Sequence, residues 1–396
     1  MREENMMNIV DYIRWRGNLS FKSDPFNEVD NLVFSQLIYA DLEFVMDSSD
    51  RLTIRELGER FFQSFPDQMK DGKIFNKDGI EILQKIMHTE RYGDCVIYNY
   101  QSKLHHDTAE QFTVCMIDLP DRTTVVCFKG TDDNLIGWKE DLYLSYKDIA
   151  GQRDALLYVN RYCSIFRKYR LIGHSKGGNL AIYAAVHCKP LIRRNIIQII
   201  SNDGPGLRPG SYLPDRYNKV KDRYTLIVPE KDGVGTIYEM DSRKVIARIL
   251  TRNIVEAHGV MTWQIDQNRI VQADADSYQT DQTRMALIQF MKETTPEQRE
   301  IFVEDVFQAF SEAGISTVGQ LAHGGLPVLF RVLKELSEID GTAKSIAVKL
   351  LKTLSVSVSS GMELPRTISR KKDQVLAKAR ILEEKLAEKK KQESID

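Results

Sequence analysis

The sequence predicts an α/β fold, a mostly parallel sheet flanked by helices, with an N-terminal helical layer and a C-terminal helical extension. Three observations carry this prediction. Apolar residues recur at helical spacing through the first ninety residues. From Cys95 the text turns to short β-branched and aromatic runs that later alternate with helical stretches. From about Asp281 the pattern is helical to the end. The corresponding organisation is a helical layer or cap over residues 1–92 packed on the core, an α/β core over 93–280, and a helical region over 281–396 that closes with a charged helix.

Residues 28–46 place apolar side chains at helical spacing behind the turn signal Asp24-Pro25, which predicts an amphipathic helix. Helical pattern follows at Ile54 to Ser64 and around Gly79 to His88. Cys95–Tyr98, Gln111–Ile117 and Thr123–Phe128 read as strands separated by Asp, His and Pro turn material. After Gly130 come two helical stretches, then the apolar runs Tyr169–Ile172, Ile196–Ile200 and Tyr224–Val228, with helical text between the first two. Strands that are apolar nearly throughout indicate a sheet covered on both faces. Beyond Asp281, Gly324-Gly325-Leu326-Pro327 and the Ser-rich turn from Ser355 to Gly361 interrupt the helical text. Lys371 to Lys391 is a strong helix former with a narrow apolar stripe at Val375, Ala379, Leu382 and Leu386. It is expected to be a solvated helix that packs weakly or pairs with a protein partner or a second copy. Interleaved acidic residues and the lack of large apolar anchors argue against attachment of this helix to a membrane.

Composition narrows the function classes. Hydrophobic residues at 42% supply enough apolar material for a sizeable core. A formal charge of -1 and a pI near 6.7 leave no global field towards nucleic acid or an anionic membrane, so any such contact would have to be local. Basic residues balanced by acidic ones nearly everywhere argue against a nucleic-acid partner. Cys95, Cys115, Cys127, Cys163 and Cys188 are odd in number, lack CxxC spacing and mostly lie in apolar runs, so they read as buried thiols in a reducing compartment. The opening Met-Arg-Glu-Glu-Asn has no apolar segment with a cleavage site, and no apolar stretch approaches the roughly 20 residues that span a bilayer. A cytoplasmic chain without a transmembrane segment is expected. His105-His106 with Asp107 lies in polar turn text and lacks a further ligand, so neither a metal nor another cofactor is expected.

Leu171 to Ala185 contains the chemistry. A strand leads to Gly173-His174-Ser175-Lys176-Gly177-Gly178, and a helix rich in small residues follows. A serine at the apex of such a turn adopts strained backbone geometry, and side chains two positions to either side would collide with sheet and helix. This is the nucleophile elbow of an α/β-hydrolase fold, with Ser175 as nucleophile. The helix start also places amide N–H groups and a positive dipole end where an oxyanion would form.

A serine hydroxyl needs a base oriented by a carboxylate, and on this fold the order is Ser, acid, His. Downstream of Ser175 stand His187, His258 and His323. His187 is three turns along the helix behind the elbow and His323 falls in the helical appendage, which leaves His258 as the base. Asp232 follows the Tyr224–Pro229 strand on the loop at its C-terminal edge and is the first choice for the acid. Asp203, in Ser201-Asn202-Asp203-Gly204-Pro205-Gly206, follows the preceding strand in the same way and is the alternative; its other role would be to fix the Gly-Pro-Gly turn. Glu230 and Asp222 are placed less well. Cys127-Phe128-Lys129-Gly130-Thr131 ends a strand in Gly-Thr, so the backbone N–H of Thr131 can join that of Lys176 in an oxyanion hole. Trp138 and Asp141 in the following helical stretch are expected to hold this loop in place.

Taken together, Lys129-Gly130-Thr131 with Trp138 and Asp141, the elbow, and Asp232 followed by His258 resemble the class 3 lipase branch of α/β-hydrolases. The chain is still more similar to the Mbeg1-like bacterial family of unknown function, through Asp11-Tyr12-Ile13-Arg14-Trp15-Arg16-Gly17, Asp24-Pro25-Phe26-Asn27-Glu28-Val29-Asp30, the Lys after the serine and Asp203-Gly204-Pro205-Gly206. That similarity spans roughly residues 8–265. The lipase resemblance implies hydrolysis of a small acyl-ester or lipid-like substrate through an acyl-enzyme, without implying triacylglycerol. Lys176 stands where class 3 lipases usually carry an apolar residue, and its charge is expected to alter the pocket or to favour an anionic acyl substrate. An acyltransferase or thioesterase would use the same triad. The reading from another class is a catalytically idle scaffold that acts through its helical regions.

Overall fold

The computed structural model describes residues 6–64, 77–105, 110–131, 135–231, 233–251, 254–279 and 281–312. The chain divides into two compact units, Met1–Met291 and Lys292–Asp396. The second begins at the end of a helix over Gln282–Glu293 and contains a helix over Pro296–Glu312. The segment Lys371 to Lys391, His323 and the turns at 324–327 and 355–361 lie outside the described residues.

The first unit opens with helices α1 (Ile9–Arg16) and α2 (Glu28–Leu37). Asn8 and Asn27 cap them, each accepting from the first-turn amides while Asp11 and Asp30 reach back to the cap amides. These reciprocal bonds satisfy donors that no helical carbonyl can reach. Strand β1 (Arg51–Thr53) and helices α3 (Ile54–Ser64) and α4 (Lys77–Ile86) complete this layer. The expected helix over 28–46 stops at Leu37. Asp41 then enters the left-handed region at φ 52°, and only a short 3-10 turn follows at Leu42–Phe44. The layer is pinned by one buried carboxylate. Asp30 takes bidentate bonds from Arg91 and further bonds from the Tyr12 and Tyr92 hydroxyls, while Arg91 also donates to the Leu19 and Asp24 carbonyls. A charge taken out of water persists only with this degree of pairing.

The core is an eight-stranded sheet: β1, β2 (Val96–His105), β3 (Glu110–Asp118), β4 (Thr123–Phe128), β5 (Lys168–His174), β6 (Ile196–Asn202), β7 (Tyr224–Pro229) and β8 (Arg243–Ala247), in sequence order across the sheet. The first three neighbour pairs are antiparallel and the four from β4 to β8 are parallel. Helices α5 (Leu135–Tyr143), α6 (Ala150–Tyr162), α7 (Lys176–His187), α8 (Pro190–Arg193) and α9 (Pro214–Tyr217) connect the parallel strands, and α10 (Ile254–Ala257) follows β8. Successive strand residues point to opposite faces, and here both faces are covered. Val125, Cys127, Ile172, Ile200 and Ile227 join the core under the N-terminal layer, whereas Val126, Phe128, Leu171, Ile199, Leu226 and Val228 join the core under α6 and α7. This double burial is why the strands read as unbroken apolar text. All five cysteines are buried and free, and burial pushes each thiol above its ordinary range.

Register sets the site. Phe128 pairs with Gly173 and His174 pairs with Asn202. Gly130, Ser175 and Asp203 therefore emerge side by side from the C-terminal ends of β4, β5 and β6.

Candidate active site

Ser175 sits between β5 and α7 at φ 57° and ψ -131°, a conformation that L-residues avoid. Its N–H donates to the Asn202 carbonyl at 2.9 Å, and its own carbonyl accepts from Gly178 at 2.9 Å, so backbone bonds on both sides hold the strained residue. The flanking glycines are sterically required. A Cβ on Gly173 would stand 2.2 Å from the Gly177 carbonyl carbon, and one on Gly177 would stand 2.1 Å from the Phe128 oxygen. The opposing atoms are backbone and cannot give way. The sequence-based reading of this turn thus matches its geometry.

His258 follows α10, and the turn carrying it is clamped from two sides. The Trp263 indole, fully buried, donates to the Ala257 carbonyl at 2.9 Å, and His174 Nε2 donates to the His258 carbonyl at 2.8 Å. The imidazole Nδ1 lies 2.7 Å from Asp203 Oδ2. With Nδ1–H donating to the carboxylate, Nε2 is left as a proton acceptor. The rings of His174 and His258 are 4.6 Å apart by centroid, which places the imidazole against the residue that precedes Ser175.

Among the described residues the carboxylate that meets His258 is Asp203, ranked second from sequence, and the first choice, Asp232, lies outside the described residues. Asp203 is almost wholly buried and itself adopts a positive φ of 51°. Its N–H donates to the Ile227 carbonyl at 2.7 Å, and its Oδ1 accepts from Gly235 N–H at 2.9 Å. These contacts orient the carboxylate and leave Oδ2 for the imidazole. The alternative role of tying down the Gly-Pro-Gly turn falls to Asn179, whose amide donates to the Pro205 and Gly206 carbonyls.

The strand-end segment expected to supply an oxyanion donor borders the elbow. A Cβ on Gly130 would lie 3.1 Å from the Ser175 Cβ and 2.4 Å from the His174 oxygen. Thr131 follows, and its hydroxyl donates to Asp141 Oδ1 at 2.8 Å, so Asp141 does hold this loop. Removal from water pushes the Asp141 carboxyl up to about 6, against the opposing pull of Lys176 and of the Thr131 hydrogen bond. The side chain of Trp138 lies outside what is described.

The expectation for Lys176 is corrected. Its ammonium does not enter a pocket: it is fully buried, 2.6 Å from Glu140 Oε2 and 2.9 Å from the Gln111 carbonyl. Glu140 is equally enclosed and also accepts from the Gln111 and Gly151 amides. The pair neutralises itself inside the core. Its backbone N–H remains at the first turn of α7, where amides have no helical carbonyl to bond.

Residues that sequence reasoning missed come from the N-terminal layer. Tyr39 accepts from Gly130 N–H at 3.0 Å and meets His174 Nδ1 at 3.2 Å. With His174 Nε2 donating to the His258 carbonyl, one hydroxyl links the Gly130 segment to the turn that carries His258. Asn31, one turn before Ser35 and two before Tyr39, donates to Asn202 Oδ1 at 2.7 Å, and Asn202 donates to Ser35 at 3.0 Å. The spacing of four residues puts Asn31 and Ser35 on one side of α2, and Tyr39 follows just after the helix ends. For Asn31 and Ser35, polar residues at that spacing within apolar helical text were the available signal. His187 is engaged elsewhere, with its two ring nitrogens against the Tyr183 and Ser211 carbonyls. His106 and Asp107 lie outside the described residues, and no group of potential metal ligands occurs among the described residues. No described helix is long and apolar enough to cross a membrane.

A family model described as Mbeg1-like matches residues 86–308, more than half of the chain. The match starts later and ends later than the similarity read from sequence, and it includes β2 to β8, the elbow, Asp203 and His258. No curated protein matches this sequence.

Proposed function

The chain belongs to the Mbeg1-like family, and from that premise we propose that it is a serine hydrolase that cleaves a carboxylic ester through an acyl-enzyme. The observation that carries this reading is the 2.7 Å bond between His258 Nδ1 and Asp203, beside a serine held at positive φ at the start of a helix. In the proposed reaction, His258 Nε2 removes the Ser175 proton as Oγ attacks the acyl carbon, and Asp203 holds the imidazole in the required tautomer and stabilises the imidazolium. The backbone N–H groups of Lys176 and Thr131 receive the developing oxyanion. His258 then protonates the leaving alkoxide, and water, deprotonated by the same imidazole, releases the acid. Buried charge next to the nucleophile is already compensated by Glu140, which favours a neutral acyl group over an anionic one.

The test is labelling by a fluorophosphonate probe, followed by hydrolysis of short p-nitrophenyl esters. Native protein is expected to label and to turn over, and Ser175→Ala to do neither. Equal labelling of both proteins, or none of the native chain, would overturn the proposal.

A further inference from the structure

The near balance of charge over the whole chain conceals a local imbalance. Residues 151–223 carry fourteen Lys and Arg against four Asp and Glu, in a protein of net charge -1. The expectation that basic residues are balanced nearly everywhere fails in this segment. Several of these cations are used internally: Lys176 pairs with Glu140, Arg167 with Asp118 and Arg170 with Asp121. Lys168, Lys189 and Arg194 are exposed and have no carboxylate partner among the described residues.

Lys168 follows Phe166 by two residues, and Lys189 and Arg194 flank the short helix that carries Leu191, so the three cations border an apolar protrusion at the N-terminal ends of β5 and β6. Phe166 is 92% exposed, and Ile165 and Leu191 are about half exposed. One side chain gathers the group. Asn195 Nδ2 donates to the Ile165 carbonyl at 2.9 Å and also meets the Leu191 carbonyl at 3.4 Å, while its Oδ1 accepts from Lys168 Nζ at 2.8 Å. The Asn195 carbonyl accepts from Tyr169 N–H at 2.9 Å, which ties the cluster to the start of β5. Lys189 is fixed to α6 through its N–H on Asn160 Oδ1 at 2.9 Å. Asn195 thus joins the two apolar segments and the Lys168 ammonium into one surface, with Lys189 and Arg194 at the two ends of α8.

We propose that this face, formed by the α6–β5 loop and α8, docks the protein on an anionic phospholipid membrane. A phenyl ring left almost wholly in water is costly unless something covers it, and insertion into the headgroup region covers it while the cations remain among lipid phosphates. Each cation near such a surface contributes roughly a fivefold gain in binding. A nucleic-acid backbone would satisfy the cations but leave Ile165 and Leu191 wet. A second copy docked face to face would bring the same cations against each other. The face lies at the opposite end of β5 from Ser175, about 20 Å along a seven-residue strand. Docking is therefore independent of the proposed catalysis.

The test is co-sedimentation of the full chain with vesicles of phosphatidylcholine alone and of phosphatidylcholine mixed with phosphatidylglycerol. The expected result is binding to the mixed vesicles that falls with added salt, with at least tenfold weaker binding to phosphatidylcholine alone. Phe166→Ser with Leu191→Ser, and separately Lys168→Glu with Arg194→Glu, are each expected to weaken binding about tenfold or more. Both pairs are on the surface, so thermal melting should match the native chain; if either pair unfolds, Lys168→Glu alone gives the reading. Ser175→Ala should bind as the native chain does, which separates this proposal from the hydrolase reading. Absence of binding to the mixed vesicles, or binding undiminished in both variants, overturns the proposal. So does tighter binding to a DNA duplex that depends on Lys168 and Arg194 but not on Phe166.

Discussion

His258 reaches its carboxylate partner on the strand next to the nucleophile: Nδ1 stands 2.7 Å from Asp203 Oδ2, and Asp203 leaves β6 beside the end of β5 that carries Ser175. With Nδ1–H donating to the carboxylate, the imidazole is in the tautomer that carries its lone pair on Nε2.

Asp203→Asn offers an amide where the imidazole needs a carboxylate, and it should reverse the tautomer. The expected loss in kcat for ester hydrolysis is about 10³- to 10⁴-fold. Asp232→Asn should remain within about threefold of native by the same criterion. Because Asp203 also accepts from Gly235, both variants are first compared by thermal melting. A crippled Asp232 variant beside an active Asp203 variant would return the acid role to Asp232.

The Lys176–Glu140 pair is a structural device within the core. Lys176→Met leaves Glu140 buried without its cation and should destabilise the fold by about 3–5 kcal/mol in urea unfolding. The double variant Lys176→Met with Glu140→Gln should recover much of that loss, and a double-mutant cycle measures the coupling. In the double variant, labelling of Ser175 by the fluorophosphonate probe should stay within a few fold of native. A large drop would show that the Lys176 charge acts at the serine.

Asp141 makes stability depend on pH with a definite sign. Its folded-state value, up to about 6 from an ordinary 3.8, means that the folded chain holds a proton the unfolded chain releases between those values. Its ionisation therefore costs stability as pH rises through this window, and the cost is absent below about pH 4. Asp141→Asn keeps an acceptor for the Thr131 hydroxyl but does not ionise. Relative to native, it should gain about 2 kcal/mol between pH 4 and pH 7. Urea unfolding of both proteins across that range checks this, and a difference that does not vary with pH would refute it.

Some of the fold was legible because its causes are local. The runs Thr123–Phe128, Tyr169–Ile172, Ile196–Ile200 and Tyr224–Val228 are apolar at consecutive positions because both sheet faces are covered, and each is a strand. The strands Arg51–Thr53 and Arg243–Ala247 were not read. They are the two edges of the sheet, where partly exposed and charged positions dilute the apolar signal. The helix from Glu28 was read, but its stop at Leu37 was not. Residues 38–46 stay largely buried after the helix ends, so the apolar text continues without the helix.

By itself, the sequence determined the turn at Ser175, because the signals that mark it are its immediate neighbours: the small residues Gly173 and Gly177, and a helix that begins at Lys176. It also pointed to His258 ahead of His187, which the structure places along α7 with its ring nitrogens on the Tyr183 and Ser211 carbonyls. Only the tertiary structure showed that Asp203 meets His258. Asp203 and Asp232 each follow a buried strand and precede His258, so spacing treats them alike. The register that pairs His174 with Asn202 places Asp203 beside the elbow and within 2.7 Å of the imidazole. The same holds for Tyr39, 135 residues before His174, which no local pattern links to the site. Contacts of that sequence separation are set when the N-terminal layer packs on the sheet, and side-chain identity along the chain does not encode them.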